Sequence, residues 1–393
     1  MKLKIFVVCL LVVMLFAGCG KENDGIQEER GRPEKPEIQM GQEAEPDKGT
    51  GGRQEAEPEP KPEGPEPTAN YKRESESGKV KFDCKIETPD YSAMKNNVHK
   101  FLLAGKYYGD EKSMFSKYVE GKEISEKHES TGGEGVPDSV FYIMEDGTAV
   151  DIGAGFTYGT GVSKHYSYIG VLNSENQEEY SSYSSGKVSF VSEEEAIEAV
   201  KKEMDEIGFS EFEIQFEAYP VSHEVLEDME NLYIEEGSLR EEKKKDAWTQ
   251  EDDAYAVYGY QAKGTLPVMH QWMSLYGTMG FYNVDNAPVS AIYSSRGIEM
   301  LFVNHMYYFE DTGETVALKE FDEIAGVVEE KFESILNDAS YVVDRAKLFQ
   351  MVRLNEKQEY VADPVWYFEV AENGESRSVT LVDAATGKEI YME

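Results

Sequence analysis

Polar and apolar positions along this chain follow two periods, and the changes between them mark its elements. Lys79 to Glu87 alternates strictly, which puts Val80, Phe82, Cys84 and Ile86 on one face of a half-buried strand. Glu111 to Tyr118 predicts a helix. Val140–Met144 and Ala149–Ile152 flank Asp146-Gly147, a pair that supplies the positive backbone angles of a tight hairpin turn. From Ser192 the period lengthens. Ile197, Val200, Met204 and Ile207 share a helical face, Ser192 and Glu195 form a capping box, and Gly208 ends the helix. A strand follows over Glu211 to Tyr219, with Phe212, Ile214, Phe216 and Ala218 on one side. A second helix begins near Ser222, with Val225, Leu226, Met229, Leu232 and Tyr233 as its stripe. Leu239 to Asp253 is charged and is expected to be exposed.

Further strands are predicted at Ala254–Lys263, Ala287–Ile292 and Ile298–Phe309. A third helix spans about Leu318 to Leu336, its apolar face made by Phe321, Ile324, Ala325, Val328, Phe332 and Ile335. Three strands close the chain: Tyr341–Arg353, Val365–Val370 and Ser378–Asp383, with Asn373-Gly374 turning between the last two. This order predicts an α+β fold of antiparallel sheets with helices packed on one face. The expected divisions are a β-rich segment 79–186 and two helix-plus-sheet segments, 187–310 and 311–393.

Before the first strand lie two other kinds of sequence. Ile5 to Ala17 is an apolar run of about 13 residues behind Lys2 and Lys4. A membrane-spanning helix needs about 20 apolar residues, so the run fits a secretory signal over residues 1–18. Leu15-Phe16-Ala17-Gly18-Cys19 resembles the lipobox of bacterial lipoproteins, with Phe16 where an aliphatic residue is usual. The resemblance implies cleavage before Cys19 and a diacylglyceryl group on its thiol, and two acyl chains anchor stably where one does not. Residues 19–78 are rich in Glu, Pro and Gly. Gln42-Glu43-Ala44-Glu45-Pro46 recurs as Gln54-Glu55-Ala56-Glu57-Pro58. Such a segment cannot bury enough apolar surface to order itself, so a disordered acidic tether is expected.

The formal charge of −38 opposes binding to nucleic acid and to anionic lipid heads. With Cys9 in the signal and Cys19 acylated, Cys84 alone remains and no intrachain disulfide is available. Cys84 reads as a half-buried strand residue.

The last helix and its strands, closing on Trp366-Tyr367-Phe368-Glu369-Val370 and then Val379-Thr380-Leu381-Val382-Asp383-Ala384-Ala385-Thr386-Gly387, look like a PepSY-type module. In that family a helix packs on a small antiparallel sheet whose final strand enters an Asp-x-x-Thr-Gly turn. The layout as a whole is similar to poorly characterised lipoproteins of anaerobic Gram-positive bacteria. PepSY modules carry no catalytic set and occur in proteins thought to inhibit or modulate others. The resemblance therefore implies a non-catalytic lipoprotein on the outer face of the cell membrane, held by acyl chains on Cys19. It would bind or modulate an envelope protein or peptide. The alternatives are an envelope-acting hydrolase and a ligand-capturing surface lipoprotein.

Individual motifs add little chemistry, and no catalytic residue, metal ligand or cofactor is assigned. Asp311-Thr312-Gly313 matches an aspartic-protease triplet, but a second triplet is missing and a hairpin turn explains it. Ser92-x-x-Lys95 and Ser184-x-x-Lys187 lack the companion elements of penicillin-interacting enzymes. The glycines of Gly153–Gly161 carry no Lys-Ser/Thr pair and read as a turn among aromatic strands with Phe156, Tyr158, Tyr166 and Tyr168. His99, His128, His165, His223, His270 and His305 are scattered without zinc-ligand spacing. Asp146 and Asp383 read as turn residues rather than calcium ligands. Tyr255, Tyr258, Tyr260, Trp272 and Tyr276 fit half-buried sheet packing better than a sugar or peptide groove.

Overall fold

The structure, a computed structural model, describes residues 69–391 apart from 89–90, 134, 172–187, 271–286, 356, 358 and 375. Cys19, the signal and all but the last ten residues of the tether, with Ser184, Lys187, Trp272 and Tyr276, lie outside the described residues. Glu66–Glu393 form one compact unit.

In chain order the strands and helices begin with β1 (Ala69–Glu74), β2 (Val80–Glu87), β3 (Val98–Tyr107) and α1 (Glu111–Tyr118). Then come β4 (Ile124–Ser130), β5 (Ser139–Met144), β6 (Ala149–Ile152), β7 (Phe156–Gly159) and α2 (Ser163–Tyr168). The middle holds α3 (Glu193–Met204), β8 (Ile214–Val221), α4 (His223–Glu235), β9 (Ala254–Lys263) and β10 (Leu266–Met269). After these lie β11 (Val289–Ser294), β12 (Gly297–Val303), β13 (Met306–Val316) and α5 (Phe321–Glu333). The chain closes with β14 (Tyr341–Leu354), β15 (Tyr360–Glu372), β16 (Ser376–Asp383) and β17 (Glu389–Ile390).

The fold is mixed α and β, mostly strand, and the 17 strands of the described residues join one sheet network built of two ladders. One ladder is antiparallel throughout, in the order β4-β5-β6-β7-β12-β11-β9-β8. Strand β9, second from one end of that order, is buried on both faces because its residues alternate between two cores. Tyr255 and Val257 pack with α1 and α3. Ala254, Ala256, Tyr258 and Tyr260 pack with α2 and α4. This corrects the expectation of helices on one face. A strand with no polar side to spare must be covered twice, and β9 reads as nearly continuous apolar sequence.

The second ladder is centred on the long pair β14 and β15, joined in antiparallel register from Tyr341↔Glu372 to Leu354↔Tyr360. Each partner has two strands on its outer side. β14 takes β2 over Tyr341–Lys347 and β10 at Gln350 and Met351, both parallel. β15 takes β16, and β3 at Val361 and Ala362. Helix α5 lies on one face with Ile324, Val328 and Phe332 against Trp366, Phe368 and Val370. Burying each such large side chain contributes about 1.5–3 kcal/mol. The parallel pairings correct the expectation of wholly antiparallel sheets. They also cross the divisions expected at 186/187 and 310/311, since β2 and β3 complete the ladder that β14–β16 begin.

Local signals were mostly met. Ser192 and Glu195 make both bonds of the capping box, 3.2 Å to the Glu195 amide and 2.8 Å from the Ser192 amide. Gly208 takes φ 100°, with Tyr107 and Asp110 too close to admit a side chain. Four expectations differ. Tyr166 and Tyr168 lie in helix α2, not in a strand. Leu232 and Ile335 are exposed. Cys84 is wholly buried, and burial, with the nearby carboxylates of Asp344, Glu87 and Asp83, pushes its thiol up to about 12. Asp311–Gly313 is not a hairpin turn but a bulge inside β13, where the register on β3 jumps between Asp311↔Phe101 and Thr315↔His99.

Candidate functional site

That bulge sits at the rim of an open cleft of about 670 Å3. Strand β3 supplies Val98, His99 and Phe101, and β13 supplies Asp311. The β9–β10 turn supplies Lys263, Gly264 and Thr265, and β14 supplies Gln350. Gly264 holds φ 64°, which makes the turn tight enough to present Lys263 and Thr265 side by side. Lys263 Nζ lies 5.4 Å from the Phe101 ring centre. His99 Nδ1 and Asp311 Oδ2 are 3.2 Å apart, and Asp311 Oδ1 accepts the Gly313 amide at 2.8 Å. The bulge thus holds the carboxylate, and the carboxylate holds the imidazole.

Gln350 is 1% exposed. Its Nε2 donates to the His99 carbonyl at 3.2 Å, which fixes the amide's orientation and leaves Oε1 as a buried acceptor without a partner. An unmet buried acceptor costs about 1–3 kcal/mol, so a ligand donor reaching it gains more than an ordinary surface contact.

The structure assigns the other singled-out residues to different places. Lys95 pairs with Glu320 at 2.5 Å. Tyr255, Tyr258 and Tyr260 are buried in the antiparallel ladder and are not among the residues that line this cleft. His128 lies on the exposed edge strand β4, 3.1 Å from Glu126. Asp146 and Asp383 cap turns through the amides of Thr148 and Thr386, each at 2.8 Å.

His223, Glu224 and Asp253 bring three ligand-type atoms within 4.8 Å of one another. Here a proton already occupies the centre. Asp253 Oδ1 accepts both the His223 amide at 2.8 Å and its Nδ1 at 2.7 Å, and Glu224 lies 3.3 Å from Nε2. The Asp253 hydrogen bond holds the His223 pKa above its ordinary value despite burial. This is an ion-paired start to α4.

Leu239–Asp253, expected to be exposed, contains a buried charge network. Asp252 Oδ2 accepts Lys245 Nζ at 2.8 Å and the Thr249 amide at 2.9 Å, while Oδ1 takes Arg296 at 3.2 Å. Glu299 accepts Arg296 Nε at 2.5 Å, Ser294 at 2.8 Å and Thr160 at 2.5 Å. Glu230 accepts Trp248 Nε1 at 3.0 Å and the Lys245 amide at 2.9 Å. Burial pushes the Asp252 pKa up, but Lys245, the Thr249 amide and Arg296 outweigh it and hold the carboxyl low.

Sequence reasoning missed Gln350 and the meeting of His270 with His305, whose rings lie 5.6 Å apart. No spacing rule finds either, because β10, β13 and β14 are brought together only by the ladders.

No protein-family model matches the chain, and no curated protein matches it. Among the described residues no helix is long and apolar enough to cross a membrane. Among solved structures, the chain is similar to an uncharacterized protein from Eubacterium rectale, with a TM-score of 0.56 and 15% identity over 82% of this chain and 94% of that one, a likeness of fold.

Proposed function

We propose that this protein is a non-catalytic binding module on the outer face of the cell membrane, anchored by acyl chains on Cys19 through the acidic tether, and that its cleft takes a peptide segment of an envelope protein. The observation that carries the reading is Gln350, which lines the open cleft and whose oriented Oε1 is a buried, unmet acceptor. A peptide amide is a suitable donor. Phe101 and Val98 offer apolar contact beside it, and Lys263 and Asp311 offer charges of opposite sign. The volume falls in the range of small-ligand sites, about 300–1,000 Å3. The PepSY-like sequence of the C-terminal strands supports the same class of function.

A hydrolase would use His99 as a base oriented by Asp311. In such sites the orienting carboxylate is buried, whereas the Asp311 side chain is 52% exposed. The geometry therefore favours holding over cutting.

The test is a labelled peptide library presented to the purified full chain. A bound subset is expected, with affinity at least about tenfold weaker in Gln350→Met, since one buried hydrogen bond contributes about 1.4 kcal/mol or more. Binding that is absent in the wild type, or unchanged in Gln350→Met and Phe101→Ala, rejects the cleft as the site. Cleaved peptides reject the non-catalytic reading.

A further inference from the structure

We propose that His270 and His305 form a buried two-imidazole site for a transition-metal ion of the zinc or copper(I) kind. Hydrogen-bond logic fixes the tautomer of each ring. Gln261 Nε2 donates to the Tyr307 carbonyl at 2.7 Å, and Gln261 Oε1 accepts the Tyr307 amide at 2.9 Å. The amide is therefore held in one orientation, and Oε1 is an acceptor. His270 Nε2, 3.1 Å from that Oε1, must carry the proton. Its Nδ1 is left with a bare lone pair. Similarly, Asn304 Oδ1 accepts the His305 amide at 2.8 Å, so His305 Nδ1, 3.0 Å away, must be the donor. Its Nε2 is left bare.

Both bare nitrogens, His270 Nδ1 and His305 Nε2, are buried without a hydrogen-bond partner. The residues are 5% and 7% exposed. Metal-ligating histidines commonly show this pattern: one ring nitrogen donates to a fixed oxygen, which sets the tautomer and aims the other nitrogen at the ion. Here Gln261 and Asn304 are the fixing groups. The spacing also suits a shared ion. A bound zinc lies about 2.0–2.1 Å from imidazole nitrogen and so roughly 3.2 Å from the ring centre, which puts two rings on one ion about 5–6.5 Å apart. The observed 5.6 Å lies within that range.

The donor atoms decide the ligand class. A second N–H on either ring would be buried facing no acceptor, so each ring is neutral and offers a lone pair. Neutral imidazole suits zinc and copper, whereas hard cations such as magnesium and calcium require oxygen ligands. Tyr307 stacks on His270 at 4.7 Å and Tyr108 lies 5.6 Å from His305, so the rings are also held by aromatic contacts. His165 Nδ1 is likewise buried without a partner, but that ring faces Tyr168 and Trp248 rather than a second histidine.

The experiment titrates the full chain, chelator-washed, with zinc and, anaerobically, with copper(I). One equivalent of either ion is expected to resist a weak chelator. His270→Ala and His305→Ala should each abolish that equivalent, whereas His223→Ala should leave it. The positioning variants Gln261→Ala and Asn304→Ala should weaken it roughly 10- to 100-fold. Nitrogen-15 spectra of histidine-labelled wild type need no variant, and the metal should shift the bare nitrogens of His270 and His305 alone. Unchanged spectra, an equivalent that survives in both alanine variants, or waters alone on the two nitrogens in a crystal soaked with the ion would overturn the site.

Discussion

Two buried polar clusters in this protein are finished differently. Around Asp252, both oxygens of Asp252, Glu230 and Glu299 accept hydrogen bonds, and Lys245 and Arg296 supply matching charge. Around His270 and His305, each ring is fixed on one side and bare on the other. The first cluster is complete without a ligand and serves to hold α4 and the loop before β9 in place. The second leaves a buried lone pair unmet on each ring. Burial is the same in both. Satisfaction separates them, and it points to structure in one case and to binding in the other.

Breaking the finished cluster should cost most. Asp252→Ala takes the carboxylate from Lys245 and leaves Arg296 to Glu299 alone, and is expected to lose about 3 kcal/mol, read by chemical denaturation. A loss under about 1 kcal/mol would mean that the network is not what orders this region. Acid should sharpen the contrast next. The folded pKa of His305 is lowered to about 4 and that of His270 also lies well below the unfolded value, so the unfolded chain binds more protons as pH falls below about 6.5, for His305 down to about 4. Their stabilising contribution is full above that window and falls with pH inside it, by about 1.4 kcal/mol per histidine per pH unit. His223 runs the other way. Its raised pKa stabilises below about 6.5 and is lost as pH rises through the folded value. Melting curves of wild type and His223→Ala from pH 4 to 8 separate the two signs, and a flat wild-type profile between pH 4 and 6.5 would contradict the neutral pair.

Smaller effects follow. His305→Phe replaces a half-satisfied ring by an apolar one of similar shape and should cost less than about 1.5 kcal/mol without metal, far below Asp252→Ala. Ser192→Ala removes one side of the capping box on α3, for about 1 kcal/mol, and a thermal melt resolves it. Lys127→Ala on the exposed strand β4 removes the pairing with Glu129 and a contact over the Tyr142 ring, and should leave the melting midpoint essentially unchanged.

What could be read from the chain was what depends on neighbours in sequence. The Ser192–Glu195 box, the Asp146-Gly147 and Asn373-Gly374 turns, and the apolar face of α5 from Phe321 to Phe332 are each set within a few residues, and each was found where expected. Expectations failed where a distant strand decides the outcome. The parallel joining of β2 to β14 has no local trace, and neither has the second helical layer on β9. The charged run before β9 looked solvated because its partners, Glu230, Arg296 and Glu299, come from other elements. Gln350 reads as an ordinary polar interruption of a strand until β3 is laid beside it. The two histidines sit 35 positions apart with no motif between them, and only the meeting of β10 with the β12–β13 junction makes them a pair.

The parallel seam between β2 and β14 also sets a timetable. Arg345 closes on Glu87 across 258 positions of chain, and burial would raise that carboxyl if Arg345, Lys347 and Lys85 did not bring it down. Until the ribosome has made α5 and β14, an early strand with Val80, Phe82 and Cys84 on its greasy side has only β1 to pair with. Contacts of such span slow folding. A nascent chain therefore carries this unfinished edge for most of its synthesis, and a chaperone that recognises extended apolar segments has a long interval in which to find it.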